Sequence, residues 1–173
     1  MSKVYRFNLP LIGSFAVARD NGEAIHAGTM FTGHLKAKHI TADGSYQDYD
    51  LGSGLVTTAG VTLMAADYTN TDATLKLAKF HALGTGSTAA TIADTALVTP
   101  SGSRVSGTQN SSGNVYTTVG TFSFSGTAAI TEWGLFTAST AGTLWDRRVF
   151  SAINVVNGDS MVITYELTIA AGG

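Results

Sequence analysis

Cysteine is absent from the 173 residues, so neither a disulfide nor a thiolate metal site can form, and stability must come from packing or oligomerisation. Charge is scarce as well. Asp, Glu, Lys and Arg make up 13% of the chain, about half the usual share in soluble proteins. The net charge of −2 leaves no electrostatic footprint for nucleic acid and no polybasic patch for a membrane surface. No uninterrupted apolar run reaches the roughly 20 residues of a transmembrane helix. The opening Met1-Ser2-Lys3-Val4-Tyr5-Arg6-Phe7 has no long apolar core of the kind a signal peptide needs. These absences predict a protein made in a cytoplasm and not inserted into a membrane.

Thr, Ser, Ala and Gly fill the deficit, a composition common in β-rich assemblies with extensive contacts. The length suits one domain, enough to bury roughly 70% of the unfolded surface. The clearest local signal is near the end. Met161, Ile163, Tyr165, Leu167 and Ile169 alternate with Ser160, Val162, Thr164, Glu166 and Thr168, a period of two that predicts a strand with one apolar face. Before it, Ile153-Asn154-Val155-Val156 runs into Asn157-Gly158, a pair suited to a tight hairpin turn. Ala129–Phe136 and Thr143–Phe150 read as a second hairpin around the small-residue loop 137–142.

A symmetric loop in that hairpin sets Phe136 opposite Thr143, Glu132 opposite Arg147, Trp145 opposite Gly134 and Val149 opposite Ile130. Glu132 and Arg147 then form a structural ion pair, which keeps the carboxylate ionised. Both hairpin faces are substantially apolar. One packs into a sandwich core; the other, with Ile130, Phe136 and Trp145, needs cover from the same chain or from a neighbouring subunit. At about 25 cal/mol per Å² of buried apolar surface, leaving it wet would forfeit several kcal/mol. A homotrimer or another assembly is one way to supply that cover.

Residues 1–50 read as an extended N-terminal arm and irregular strands, followed by a β-sandwich domain over 51–173. In the arm Tyr5, Phe7 and Leu9 alternate with Val4, Arg6 and Asn8 until Pro10 interrupts any ladder. These three residues are candidate anchors on a partner, in alternate pockets of an added strand. Phe15-Ala16-Val17 is a short strand candidate, with turns at Asp20-Asn21-Gly22 and Asp43-Gly44, and Gly28 and Gly33 break the apolar run 24–35. Leu55, Ala59 and Leu63 recur every four residues and predict a helix over 54–66, capped by Ser53 or Asp50. Residues 75–83 and 115–125 read as strands, 88–97 as a short helix or turn, and 100–113 as a loop rich in Gly and Ser.

Little of this suggests reaction chemistry. Gly84-Thr85-Gly86-Ser87-Thr88-Ala89 fits the dinucleotide fingerprint, but no acid lies in 101–121 to bind a ribose, and alternating βαβ units are missing. A plain Gly/Ser turn is the better reading, and no cofactor is expected. His34 and His39, with His26 and His81 elsewhere, lack metal-ligand spacing and read as ordinary strand or loop histidines. Glu132 and Glu166 could be paired carboxylates for sugar hydrolysis, were Glu132 not committed to Arg147. Trp133, Trp145, Tyr165, Phe122 and Phe124 fall in strands and read as core, with a sugar-stacking surface the minority reading. No Ser lies in a nucleophile elbow. The chain is not expected to be an enzyme.

Four segments resemble tailed-bacteriophage virion proteins. Leu83-Gly84-Thr85-Gly86-Ser87-Thr88-Ala89-Ala90 leads into Asp94-Thr95-Ala96-Leu97, matching a Gly-Thr-Gly turn before a D-T-A-L segment. Ile130-Thr131-Glu132-Trp133-Gly134-Leu135-Phe136 matches a T-E-x-G-L-F strand, and Leu144 to Phe150 the following L-x-x-R-x-x-F. Asp159 to Ile169 is similar to a G-D-x-L-x-I-x-W-x-I ending, with Tyr165 at the Trp position, and Gly54 to Val61 looks like part of the same group. The resemblance runs from Gly52 onward. It implies a jelly-roll-like antiparallel β-sandwich, mainly β with one or two short helices. Its implied role is capsid cement (decoration): a homotrimer on the capsid exterior of a virion, binding the major capsid protein and made in the host bacterial cytoplasm. A tail fibre, baseplate or neck component is the alternative within virions, and a carbohydrate-binding module the alternative outside them.

Overall fold

The computed structural model describes the backbone of residues 4–9 and 13–18 and the chain over 30–67 and 78–170. It divides into two compact units, Met1–Met30 with Ala170–Gly173, and Phe31–Ile169. In the first, β1 (Val4–Leu9) and β2 (Gly13–Ala18) pair antiparallel, with Tyr5 opposite Val17, Phe7 opposite Phe15 and Leu9 opposite Gly13. The alternating stretch Val4–Leu9 and the short strand candidate Phe15-Ala16-Val17 thus pair with each other. The expected turn at Asp20-Asn21-Gly22 lies outside the described residues, as do Pro10, His26 and Gly28.

The second unit is a sandwich of two five-stranded antiparallel sheets. Its strands are β3 (Met30–Ile40), β4 (Tyr46–Ser53), β5 (Leu55–Val56), β6 (Phe80–Gly84), β7 (Pro100–Ser106), β8 (Thr108–Ser112), β9 (Val115–Ser123), β10 (Ala128–Phe136), β11 (Leu144–Val155) and β12 (Ser160–Ala170). Sheet I has the order β5-β11-β10-β6-β7, and sheet II the order β4-β3-β12-β9-β8. The expected domain boundary at 50/51 moves to 30/31, because β3 and β4 are built into sheet II. Gly33 does not interrupt β3. A Cβ there would collide with the Asp146 carboxylate and the Tyr165 ring, so glycine is what lets those side chains fill the space.

The alternation of β12 holds. Met161, Ile163, Tyr165 and Leu167 are buried against Leu35, Leu83, Ile130, Trp133, Leu135 and Ile153 in one core between the sheets. The Asn157-Gly158 turn also forms, with Gly158 at φ +91°, but it joins no hairpin. It carries the chain from β11 in sheet I to β12 in sheet II, where β12 pairs with β9. Asp159 holds this crossing, accepting from the amides of Val156 and Ala42 and bonding His39 Nε2 at 2.8 Å.

The helix α1 (Thr58–Asp67) starts later than expected because Leu55–Val56 are taken by β5. Its cap is Thr57, not Ser53 or Asp50: Thr57 Oγ1 accepts from the Gly60 amide and donates to the Leu144 carbonyl. Residues 88–97 form turns without a helix, and 100–113 are not a loop but the strands β7 and β8. These are edge strands with mostly exposed residues, so Gly, Ser, Thr and Asn are tolerated where a central strand would need apolar side chains.

Candidate functional site

The β10–β11 hairpin is the centre of the molecule's chemistry, and its register departs from the symmetric one. Glu132 faces Val149 and Gly134 faces Arg147, with shifts between Ile130 and Glu132 and between Leu135 and Phe136. At the second shift Leu135 faces Asp146 and Phe136 faces Leu144, so Trp145 is the extra residue of a bulge. Displacement by two residues preserves the face, so Glu132 and Arg147 still meet as diagonal neighbours. Arg147 Nη2 and Nε bond Glu132 Oε2 at 2.8 and 3.1 Å, with both residues fully buried.

What buries them is the chain between β6 and β7. Arg147 Nη1 bonds Asp94 Oδ2 at 2.8 Å, and Nη2 also donates to the Thr88 carbonyl. Glu132 accepts from three backbone amides of the same segment: Gly86 (3.1 Å), Val98 (3.1 Å) and Thr99 (2.7 Å). Burial alone would raise the Glu132 pKa, but the Thr99 amide, the Arg147 guanidinium and the Val98 amide together hold it below the ordinary carboxylate value. Asp94 is likewise lowered despite desolvation, by Thr91 and Arg147. The Gly-x-Gly signature thus has a physical explanation. A Cβ at Gly84 or Gly86 would strike Glu132 Oε1, so the glycines admit an anion to the turn, and that anion is the protein's own carboxylate.

The expected interface residues Ile130, Phe136 and Trp145 are not surface. Their exposures are 0%, 2% and 2%. Ile130 and Trp145 belong to the inter-sheet core, while Phe136 packs with Ala82, Leu97 and Leu144 under the 85–99 segment. The cover comes from the same chain, and the bulge explains the change of face for Trp145. Gly60 of α1 lies directly against its ring. Tyr5, Phe7 and Leu9 stand at alternate positions of β1.

The remaining candidates separate. Glu166 pairs with Lys36 on sheet II at 2.9 Å and never approaches Glu132 as a partner carboxylate. His81 is fully buried and neutral, its pKa pushed down to about 3 by desolvation, with Nδ1 accepting from Trp133 Nε1 and Nε2 next to Thr118 Oγ1. His34 pairs with Asp50 and His39 with Asp159. Trp133, Trp145, Tyr165 and Phe122 are core, and Phe124 packs at its edge.

A second buried centre had no sequence signal. Asp146, next to Arg147, projects the other way, into the core. Tyr165 Oη donates to its Oδ2 at 2.8 Å and accepts from Trp145 Nε1, while Oδ1 has no hydrogen-bond partner among the described residues. Desolvation raises the Asp146 pKa to about 7, against the opposing pull of the Tyr165 hydroxyl, the Leu55 and Arg147 amides and the Arg148 charge. No helix among the described residues is long and apolar enough to cross a membrane. No family model, curated protein or solved structure matches the chain significantly.

Proposed function

We propose that this protein is a structural component of a tailed-bacteriophage virion, a capsid cement protein that binds the major capsid protein. The observation that supports the reading is where the resembling segments meet. The Gly84–Gly86 turn, Asp94, Leu97, Glu132, Phe136, Leu144 and Arg147 come from separate stretches of sequence and join in one buried fastening. Their residue types suit holding a long segment onto a sheet, and each ionised group is spent on that task. Among the described residues, no three His, Asp or Glu side chains gather as a metal site would require.

In this reading β1–β2 is the attachment element. A lone two-stranded hairpin is marginal in water and gains from a surface to lie on. Tyr5, Phe7 and Leu9 are its anchors on the shell, and copies associate as a trimer on the capsid exterior. The sandwich is read as jelly-roll-like, and a tail fibre, baseplate or neck component is the neighbouring possibility within virions. Mass-spectrometric counting in purified particles separates them. A cement protein occurs in numbers comparable with the major capsid protein, and scarcity would overturn the proposal in favour of a tail component. Deleting Ser2–Ile12 should abolish decoration of capsids while the sandwich stays folded; full occupancy by the truncated chain would remove the hairpin from the contact.

A further inference from the structure

The outer face of sheet I carries a cleft of about 600 Å³ between β7, the end of the 85–99 segment and the loop 137–143. That volume lies within the range of small-ligand sites, roughly 300–1,000 Å³. Its wall is Arg104, whose guanidinium stacks 3.4 Å from the centroid of Phe136. Arg104 Nη1 donates to the carbonyls of Ala138 and Ala141, so the loop is wrapped around the guanidinium. Ala141 pays for this with a left-handed backbone, φ 51°, in a residue with a Cβ.

Among the described residues no carboxylate pairs with Arg104, in contrast to Arg147, Lys36 and Lys38. Stacking and two carbonyls fix the orientation of the guanidinium, and Nε and Nη2 have no partner among the described residues. Those two donors form the edge that grips a carboxylate in a bidentate pair. The rest of the accessible rim is uncharged and carries the hydroxyls of Ser103, Ser139 and Thr140. A ligand that fits has one negative charge and several hydroxyl or amide groups.

A peptide carboxylate is the poorer occupant. Peptides dock on sheet edges through backbone pairing, and β7 is an edge broken by a bulge opposite His81 and Leu83, with Pro100 at its start and Gly102 at φ +72°. We propose that the Arg104 cleft is a binding site for a carboxylate-bearing sugar, the carboxylate on Arg104 and the ring hydroxyls on Ser103, Ser139 and Thr140.

The test is a titration of the full chain with D-glucuronate, N-acetylneuraminate, neutral D-glucose and an acetylated Glu-containing tripeptide, followed by amide NMR shifts. At least one acidic sugar should shift the amides of residues 102–104 and 139–141, with glucose at least about tenfold weaker, as expected for loss of a charge-assisted bidentate pair. Arg104→Gln should lose the same preference. Because Arg104 also braces the loop, Thr140→Trp serves as a second variant: it fills the cleft from an exposed position and should block binding with the loop intact. The proposal is overturned if neither acidic sugar binds, if glucose binds equally, if Thr140→Trp binds as wild type, or if the tripeptide alone binds at the cleft.

Discussion

Asp146 and Arg147 are adjacent on β11 and equally buried, yet the strand delivers them to opposite faces of sheet I and to opposite electrostatic circumstances. Outward, Arg147 meets two carboxylates and a carbonyl, and Glu132 meets Arg147 and three amides, so almost every donor and acceptor is matched. Inward, Asp146 accepts one hydrogen bond, from the Tyr165 hydroxyl at Oδ2, and beyond it has only the pull of the Leu55 and Arg147 amides and the Arg148 charge, which together do not offset burial. Burial by itself therefore does not decide whether a charge survives. The matched site keeps its carboxylates ionised, and the unmatched one pushes Asp146 toward its neutral form.

The largest effect should come from breaking the matched site. Glu132→Ala leaves Arg147 buried with Asp94 alone and frees three amides, so urea unfolding should show a loss of about 3–5 kcal/mol. A double-mutant cycle with Arg147→Ala should give clear coupling, and zero coupling would dissolve the pair.

The unmatched site predicts a pH signature of similar size. Asp146 has a folded pKa raised from 3.8 to about 7, so its contribution is full below 3.8 and is lost as pH rises toward 7. His81 runs the other way. Its folded pKa is lowered from 6.5 to about 3, so its contribution is present above 6.5 and is lost as pH falls toward 3. Each slope amounts to roughly 4–5 kcal/mol over its window, at about 1.4 kcal/mol per unit. In the wild type the two oppose each other between pH 4 and 6.5 and stability should be nearly flat. Asp146→Asn should unmask the His81 slope, with stability climbing from pH 4 to 6.5 in denaturation at fixed ionic strength. An equally flat profile in that variant would contradict the account of Asp146. The smallest effect belongs to the exposed pair. Lys36→Ala should cost less than about 1 kcal/mol, because water screens Lys36 and Glu166 as it cannot screen Arg147.

Much of the outer site was legible from residue types. Glu132 and Arg147 are opposite charges in facing strands, and an error of two residues in register leaves them on one face. The period of β12 gave the core side of Met161, Ile163, Tyr165 and Leu167 for the same reason, since alternation depends on no distant partner. Neither irregularity of the hairpin carries a local mark: the bulge at Trp145 turns Trp145 into the core, and the shift between Ile130 and Glu132 does the same for Ile130, so both left the face expected to need cover. Nothing local marks Asp146, because only the tertiary fold brings Gly33, Gly54 and Tyr165 around it. The polar strands β7 and β8 look like loop by composition, and pairing with β6 and β9 is what extends them.

Glu132 fastens the 85–99 segment to sheet I, and amide hydrogen exchange of Gly86, Val98 and Thr99 tests this most directly. In the wild type these amides should exchange as slowly as those of Met161 to Leu167 in β12. In Glu132→Gln they should speed up selectively while β12 remains protected. Fast exchange of the three amides in the wild type, or an equal loss of protection in β12, would contradict it.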